Sequence, residues 1–462
     1  MAKIVMLCHS HRLDRRVVQE ATSLIEAGHS VTLLTIAVSP YGSEETTPEG
    51  LRIIRIGREH IVPDNASYRG YKNRRARLDD MRATRTAARL IRGVRRTALK
   101  LASRCNRLWY RGALLVRYGN LSPGDPLPFR GAFVKHGRAR PSDLVQVHDL
   151  PALEAGAELA TAWGVPLVYD AHELYSEQRV FSRAQRRICR NAETRLIREP
   201  SLVFTINDSI AEEMHRRYRI EKPTVLLNAI DPPAGFDPSV RYDLLRRKLG
   251  LAPKRKLLLF QGGFAQHRNL EHLIDAFKRV EHAEVDLILM GFGQFGDALK
   301  QRADRAGVLG KRVHFLPAVP LAELLQHSAS ADIGIIPYPH VDLNSYYCTP
   351  NKLFEYIQAG LPILANDSPE LNHFVCGYGF GLTAPMRSAE QIAEAVDKVF
   401  AQSTETWREN LLRHRDAFSW RAQKLVYLDS LSRQLRTGSS DRPLLEEADL
   451  ARSSDSREPE AK

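Results

Sequence analysis

The chain has 462 residues, 43% of them hydrophobic, and its 67 Lys and Arg outnumber 54 Asp and Glu, giving a net charge of +13. This length is enough for two hydrophobic cores of ordinary domain size. The sequence has no run of eighteen apolar residues, which excludes a typical membrane-spanning helix. Five scattered cysteines without CxxC spacing argue against structural zinc. The sequence opens with MAKIVML and shows no leader pattern, which predicts a cytoplasmic protein.

The first forty residues predict a parallel α/β arrangement. Residues 3–7 and 31–36 are short apolar runs, and residues 17–27 between them have helical periodicity and end at Gly28. The loop after the first strand is polar and basic and lacks a glycine-rich phosphate fingerprint. A nicotinamide dinucleotide site is therefore disfavoured, and we expect no cofactor.

The excess positive charge lies in one segment, residues 68–140, whose 17 Arg and 3 Lys stand against 3 Asp. Its net charge of +17 leaves −4 for the rest of the chain. Within residues 81–118, apolar residues and cations form two separate helical stripes. The cations are Arg82, Arg85, Arg89, Arg92, Arg96, Lys100, Arg104, Arg107 and Arg111.

A basic amphipathic helix of this kind suits an anionic membrane surface. The alternative is a helix that packs on the domain and leaves a solvated basic face. Nucleic acid would also attract the charge, but the sequence shows no recognisable nucleic-acid-binding module around it, so we expect no nucleic-acid partner.

The α/β pattern returns after the basic segment. Strands are predicted at residues 144–147 and 166–169, and further ones at 202–206 and 224–227. His148 follows the first of these strands, and Asp170, His172 and Glu173 follow the second. An open α/β sheet places its ligand crevice at the carboxyl ends of its strands, so these side chains predict a site, although any one histidine alone could be structural.

A second α/β set follows a proline-rich linker at 231–243. Its strands are predicted at 256–260, 285–290, 313–316 and 333–337. Gly262 and Gly263 precede a helix predicted over 269–280, where Arg268 could reach a phosphate or could be an ordinary surface arginine. A last helix is predicted over 420–435, and the polar tail from 437 is predicted to be disordered.

The stretch 348–367 predicts a helix whose start binds anions. Thr349 is a suitable N-cap and Pro350 a suitable first helical residue, which leaves the backbone N–H groups of Asn351 and Lys352 free. Lys352 adds a full positive charge, and Glu355 lies one turn further on, where it could accept hydrogen bonds from a ribose diol. The simpler alternative is a capped helix with a surface ion pair between Lys352 and Glu355.

Several segments together resemble GT-B glycosyltransferases, and most closely the retaining family 4. They are DRRVVQEATSLIEAGHSVTLL, VHDL, YDAHELYSE, the GG…R…LEHLIDAF segment, VHFLPAV, ADIGIIPY and PNKLFEYIQAGLPI. The resemblance implies two Rossmann-like domains that face a cleft. Residues 1–230 would form the acceptor domain, with 68–140 as a basic helical insertion, and 231–402 the nucleotide-sugar domain. Residues 403–436 would return to the first domain, ahead of the tail 437–462.

The resemblance also implies roles for the residues of the second domain. Lys352 and Arg268 would neutralise the diphosphate, with Gly263 and Asn351 beside them. Glu355 matches the second Glu of the EX7E motif and would hold the ribose. The sequence contains no DxD motif positioned for Mg²⁺, so we expect no metal.

In the first domain, the resemblance implies that His148 contacts the donor sugar near the anomeric carbon and is catalytic. Asp170, His172 and Glu173 would line the acceptor side. The chain departs from the family where Tyr347 stands in place of the first Glu of EX7E. The sugar hydroxyls would then be held in another way, by backbone amides of the 341–352 loop or by Asp342.

These observations predict a peripheral membrane glycosyltransferase with a retaining mechanism. It would move a sugar from a UDP- or GDP-sugar to a polyprenyl-linked acceptor at the inner face of the cytoplasmic membrane. One alternative is a UDP-sugar 2-epimerase of the same fold, which product analysis without an acceptor would distinguish. The other is a catalytically silent membrane-associated subunit, for which the absence of nucleotide binding would be evidence.

Overall fold

The computed structural model describes residues 1–39, 41–57 and 127–440, together with 101, 102, 104, 105 and 108. The described residues form two α/β domains, each built around its own sheet. The predicted GT-B arrangement of two Rossmann-like domains is confirmed. The cationic stripe of residues 82–111 is largely outside the described residues, as are 441–462 of the predicted tail. Among the described helices, none is long and apolar enough to cross a bilayer.

The N-terminal sheet has eight strands in the order β3-β4-β2-β1-β5-β6-β7-β8. They are β1 Lys3–Cys8, β2 Ser30–Ile36, β3 Ser43–Thr46, β4 Arg52–Ile56, β5 Leu144–His148, β6 Leu167–Ala171, β7 Leu202–Thr205 and β8 Thr224–Val225. All pairs are parallel except β3 with β4. The register pairs Cys8 with His148, and His148 with Asp170. Polar side chains at the ends of these central strands therefore meet at one sheet edge.

The helices of this domain are α1 Arg15–Glu26, α2 Arg130–Gly137, α3 Leu150–Trp163, α4 Arg183–Leu196 and α5 Asp208–Tyr218, with a short 3-10 turn at Tyr175–Glu177. Helix α1 begins two residues before the predicted start because the Asp14 side chain caps it, accepting a hydrogen bond from Arg16 N at 2.9 Å. This earlier start brings Arg15 and Arg16 into the first turn. Helix α2 belongs to the charged segment, but its Phe133 is fully buried in the domain core.

The C-terminal sheet has six parallel strands in the order β11-β10-β9-β12-β13-β14. They are β9 Lys256–Gly263, β10 Val285–Phe292, β11 Val313–Pro317, β12 Ile333–Ile336, β13 Ile363–Asn366 and β14 Gly381–Ala384. A large hydrophobic cluster surrounds this sheet. Strand β14 was not predicted, because its GLTA sequence lacks the long apolar run of a central strand.

The remaining helices are α6 Leu244–Leu249, α7 Leu270–Ala276, α8 Gly296–Arg305, α9 Leu321–Ser328, α10 Leu343–Tyr346, α11 Asn351–Gln358, α12 Pro369–Leu371, α13 Ala389–Phe400, α14 Glu405–His414 and α15 Trp420–Ser440. A π turn follows α12 at Asn372–Cys376, and a 3-10 turn follows α14 at Arg415–Phe418. Helix α7 ends four residues before its predicted end at 280. Helix α15 runs through Ser440, four residues into the segment predicted as the tail.

Helix α15 packs against the N-terminal domain. Trp420, Tyr427 and Leu431 are buried in the same cluster as residues of β1 and α1. The Tyr427 hydroxyl donates to Gln146 Oε1 at 2.7 Å, and the Trp420 indole donates to Ser23 Oγ at 3.1 Å. The chain therefore ends its described part on the domain in which it began.

Candidate functional site

Lys352 lies at the start of α11 and is only 5% exposed. Its Nζ donates to the Tyr338 hydroxyl and lies 4.2 Å from the centre of the Tyr338 ring and 4.7 Å from that of Phe260. In the described part of the chain, no carboxylate lies within ion-pair distance of this amine. The buried charge is stabilised by a hydroxyl and two aromatic faces, so Lys352 remains able to attract an anion.

Arg268 contacts the same aromatic ring, with its guanidinium carbon 4.3 Å from the centre of the Tyr338 ring. The residues on either side of it, His267 and Asn269, have φ angles of 66° and 62°, in the left-handed region that non-glycine residues seldom adopt. Asn269 is held in place by its side-chain amide, which donates to the Met386 carbonyl at 2.6 Å. The chain thus directs Arg268 over Tyr338. We call Arg268 and Lys352 the cation pair.

The start of α11 differs by one residue from the prediction. Pro350 occupies the cap position with extended backbone angles of φ −68° and ψ 147°, and Asn351 is the first helical residue. The prediction that Thr349 is the N-cap is therefore wrong. The Thr349 hydroxyl instead accepts a hydrogen bond from the Asn207 amide at 3.2 Å, across the boundary between the domains. Asn351 is exposed, and its N–H has no partner within the helix.

Glu355 is one turn beyond Lys352, and both its oxygens are engaged. Oε2 accepts from Gln261 Nε2 at 2.7 Å, and Oε1 pairs with Arg15 of the N-terminal domain at 3.1 Å. The Ser328 hydroxyl donates to Gln261 at 2.6 Å and so orients the amide. The alternative of a surface ion pair between Lys352 and Glu355 is wrong, because both side chains are buried and each has other partners.

The backbone beside the cation pair is kept free of side chains. Gly262 has φ 126°, and a Cβ there would lie 3.7 Å from Lys352 Nζ. A Cβ on Gly291 would lie 1.9 Å from the Gly262 carbonyl oxygen, so glycine is required for the two strand ends to approach. Gly263 is exposed next to them. These glycines place backbone without side chains beside Lys352.

The N-terminal sheet edge carries a different kind of cluster, centred on Asp170, which is fully buried. Arg16 donates to both oxygens of Asp170, with 3.0 Å for the Nε bond. His172 Nε2 lies 2.7 Å and His148 Nδ1 lies 3.3 Å from Asp170 Oδ2. Arg16 is also held by Glu20, at 2.9 Å. We call Arg16, Glu20, His148, Asp170 and His172 the charge cluster.

The charges within this cluster compensate each other. Burial by itself would raise the pKa of Asp170, but Arg16 and His172 hold that pKa well below its usual value. Burial opposes the charge on His172, yet Asp170 and Asp149 raise the pKa of its imidazole to about 10. The predicted contact between Asp170 and an acceptor needs correction, because the carboxylate is buried and its oxygens contact Arg16 and the two histidines.

His148 is fully buried, and burial lowers the pKa of its imidazole. Its Nδ1 lies 3.3 Å from both Asp170 and His172, whereas its Nε2 has no hydrogen-bond partner among the described residues. Ligand atoms of His148, Asp170 and His172 lie within 4.8 Å of one another, close enough to hold a metal ion. Because Arg16 already bonds both oxygens of Asp170, a divalent ion would have to displace the guanidinium.

Glu173 is at a contact between the domains. Its oxygens accept hydrogen bonds from Gln178 at 2.6 Å and from Asn344, in α10 of the C-terminal domain, at 2.8 Å. Asn344 Oδ1 in turn accepts from Leu174 N at 3.0 Å. Burial and the charge of Asp149 raise the pKa of Glu173 to about 7.

Tyr347, predicted for the donor site, packs against the hydrophobic cluster of the N-terminal domain. Its backbone carbonyl accepts a hydrogen bond from the Asn207 amide at 2.7 Å. The loop that carries Tyr347 therefore reaches across the cleft and contacts the opposite domain.

The structure thus brings the predicted residues together in two groups. Arg268, Lys352 and Glu355, with the neighbouring Gly263 and Asn351, lie at the C-terminal sheet edge. The other group, His148, Asp170, His172 and Glu173, lies at the N-terminal sheet edge.

Sequence reasoning missed several residues that contact these groups, among them Arg15, Arg16, Gln261, Tyr338 and Asn344. Tyr338 could have been noticed, because it directly follows a predicted strand. Arg15 and Arg16 follow a polar loop that has no glycines. Without the glycines of a phosphate-binding loop, nothing in the sequence indicated site residues there. Asn344 has no signal in the sequence, because its role depends on contact between the domains.

Comparison with protein families identifies the class. The profile described as "Glycosyl transferase 4-like domain" matches residues 13–229, and that described as "Glycosyl transferases group 1" matches residues 255–402. Together the two profiles match more than half of the chain. The protein belongs to the group 1 glycosyltransferases, as the sequence resemblance predicted.

Individual relatives are distant. An uncharacterised glycosyltransferase of Methanocaldococcus jannaschii is 25% identical over 273 residues, which cover 56% of this chain and 66% of that protein. Sucrose-phosphate synthase from Thermosynechococcus elongatus superposes with a TM-score of 0.62 at 17% identity, covering 95% of this chain and all of the other. Anabaena HepE in complex with UDP and glucose superposes with a TM-score of 0.59 at 16% identity, covering 94% and 100%. At these identities the structural matches establish the fold.

Proposed function

We propose that the protein transfers a sugar from a nucleotide diphosphate sugar to an acceptor, with the cation pair binding the diphosphate. The observation that carries this proposal is the absence, among the described residues, of a carboxylate paired with Arg268 or Lys352. Both cations converge on Tyr338, beside the first turn of α11. An anion at this position would meet two charges and the free N–H groups of a helix start, which together favour a phosphate group.

The same arrangement suits the reaction. When the glycosidic bond to the phosphate breaks, negative charge grows on the leaving diphosphate, and fixed cations stabilise that charge in the transition state. A cation pair held in advance by Tyr338 needs little reorganisation at that moment. Glu355, one turn away, would accept the ribose hydroxyls once Arg15 moves aside. On the other sheet edge, the unpartnered Nε2 of His148 is shielded from solvent, so it would meet the donor sugar only after neighbouring side chains move aside.

The donor in this proposal is a UDP- or GDP-sugar. Anabaena HepE, which shares the fold, forms a complex with UDP and glucose, and this supports a UDP-sugar of the glucose type as the first compound to test. Retention of the anomeric configuration follows from the resemblance to family 4 and is part of the proposal. We propose that the reaction needs no bound metal, because the cation pair can neutralise the diphosphate.

The direct experiment is to incubate the protein with UDP-glucose or GDP-mannose, with and without a bacterial lipid extract, and to identify all sugar products. The proposed transferase releases UDP or GDP and glycosylates a lipid. Conversion of the donor to an epimer without an acceptor would instead establish the epimerase. If calorimetry detects no binding of UDP or GDP, the silent-subunit alternative holds.

We also propose that the acceptor is polyprenyl-linked and is met at an anionic membrane surface on the cytoplasmic side. The support is the cationic stripe of residues 82–111, which lies largely outside the described residues. Each cation near an anionic surface contributes about 1 kcal/mol. Changing Arg89, Arg92, Arg96 and Arg104 together to Gln should therefore release the protein from phosphatidylglycerol vesicles in a sedimentation assay. Equal sedimentation of variant and wild type, or no dependence on salt, would contradict membrane binding.

A further inference from the structure

Three polar atoms at the C-terminal sheet edge lack hydrogen-bond partners among the described residues. They are His340 Nε2, Asp367 Oδ1 and Ser368 Oγ, and all three are shielded from solvent. His340 Nε2 and Asp367 Oδ1 are 3.8 Å apart. Buried polar atoms without partners are rare and costly, so the neighbouring His340 and Asp367 atoms indicate a missing partner. Ser368, which follows Asp367 in the chain, adds a third such atom.

The backbone brings these residues to the cation pair. His340 follows β12, two residues after Tyr338, and Asp367 and Ser368 directly follow β13. Strands β12 and β13 pair in parallel, so their carboxyl ends lie side by side. The Asn366 amide donates to the Tyr338 carbonyl at 2.7 Å and joins the two strand ends. The three residues therefore lie at the same sheet edge as the proposed diphosphate site.

Ser368 is the most informative of the three. It occupies the cap position of α12, but its hydroxyl makes no capping hydrogen bond, although the residue is only 2% exposed. A serine at this position usually satisfies a free N–H of the helix. The side chains of His340 and Asp367 are 22% and 29% exposed, so the group is not sealed inside the domain.

We propose that His340, Asp367 and Ser368 form a subsite that binds hydroxyl groups of the donor sugar. The proposal rests on the proposed function, since it needs a nucleotide sugar on the cation pair. It also explains how the chain holds a sugar although Tyr347 replaces the first Glu of EX7E and packs against the opposite domain.

The chemistry of the three atoms matches hydroxyl groups better than other ligands. Burial lowers the pKa of His340 although the charge of Asp367 opposes it, and Arg387 lowers it further. This favours a neutral imidazole, whose Nε2 can donate or accept one hydrogen bond. The Asp367 carboxylate accepts hydrogen bonds and would repel a phosphate. The Ser368 hydroxyl can donate or accept. A sugar hydroxyl can donate to the carboxylate and can either donate to or accept from the imidazole and the serine hydroxyl.

The test compares a nucleotide with its sugar derivative. Calorimetry would measure the binding of UDP, UDP-glucose, GDP and GDP-mannose to wild type and to the variants Asp367→Asn and Ser368→Ala. For the sugar nucleotide that wild type binds best, we expect each variant to weaken binding by about tenfold to a hundredfold, whereas binding of the sugar-free nucleotide changes less than about twofold. Asp304→Asn, the same change at an exposed position of α8, is the matched control and should alter neither.

The outcomes separate this proposal from the proposed function. If a variant weakens the binding of nucleotide and sugar nucleotide by the same factor, or if it changes neither affinity, the three atoms do not bind the sugar and the subsite is overturned. If wild type binds none of the four compounds, the proposed function fails and this inference fails with it. If the variants do not fold, His340→Gln supplies the same comparison with a partly exposed residue.

Discussion

The two facing sheet edges handle their charges in opposite ways. At the N-terminal edge, Arg16 and His172 balance Asp170 within the charge cluster. At the C-terminal edge, Arg268 and Lys352 share only the ring of Tyr338. A compensated cluster holds side chains in position, whereas cations without counter-charges are available to a ligand. The difference explains why an anionic donor should bind to the C-terminal domain.

The largest effect that this comparison implies is a loss of folding stability when Asp170 is changed. Changing Asp170→Asn removes the counter-charge of the buried Arg16, and breaking a buried ion pair costs about 3–5 kcal/mol. We expect the free energy of unfolding, measured by urea denaturation, to fall by this amount. Glu44→Gln, which breaks the half-exposed pair between Glu44 and Arg52, is the control and should cost far less, because solvent screens an exposed pair. Equal losses in the two variants would show that Asp170 has no special role.

Glu173, at the N-terminal edge, is a carboxyl group without an ion-pair partner among the described residues. The pH dependence of the free energy of unfolding should therefore report its ionisation. Folding raises its pKa from the usual 4.5 to about 7, so its contribution to stability is complete below pH 4.5 and is lost as the pH rises to 7. The loss should be about 3 kcal/mol. Glu173→Gln cannot ionise, so the stability of wild type relative to this variant should fall over that pH range. Parallel stability curves for the two proteins would contradict the raised pKa.

Lys352→Met separates binding from stability at the C-terminal edge. Loss of a charge-assisted contact should weaken nucleotide diphosphate binding by about 1.5–3 kcal/mol. The free energy of unfolding should stay constant or rise, because a buried unpaired charge is replaced by an apolar chain. Lys300→Met, at an exposed lysine near the Phe315 ring, is the matched control. A strong loss of stability in Lys352→Met would mean that the lysine is structural.

The smallest effect is expected at Glu355. Glu355→Gln should keep the helix, because both residues are good helix formers. It should weaken nucleotide binding by about 1 kcal/mol, because an amide accepts hydrogen bonds from the ribose hydroxyls less strongly than a carboxylate does. Calorimetry with UDP and 2′,3′-dideoxy-UDP measures this contribution, because the variant should lose most of the preference for the hydroxylated nucleotide. Glu323→Gln, at an exposed position of α9, should keep it. An unchanged preference in Glu355→Gln would exclude Glu355 as the ribose ligand.

Much of the fold follows from sequence because apolar strands and capped helices are local signals. The central strands of both sheets were found, and Lys352 and Arg268 were identified from their place at strand and helix ends. Local patterns could not show that Glu355 pairs with Arg15 of the other domain, or that Asn344 binds Glu173. They also could not show that Asp170 is buried, because that depends on Arg16 reaching it from α1.

The most direct test of the central claim is the contribution of the second phosphate to binding. Calorimetry of UDP and UMP, and of GDP and GMP, would be carried out on wild type and on the double variant Arg268→Ala, Lys352→Met. With two cations on the diphosphate, wild type should bind the diphosphate at least about tenfold more tightly than the monophosphate. The double variant should bind the two nearly equally. If the double variant keeps the full preference for the diphosphate, the cation pair is not the diphosphate site.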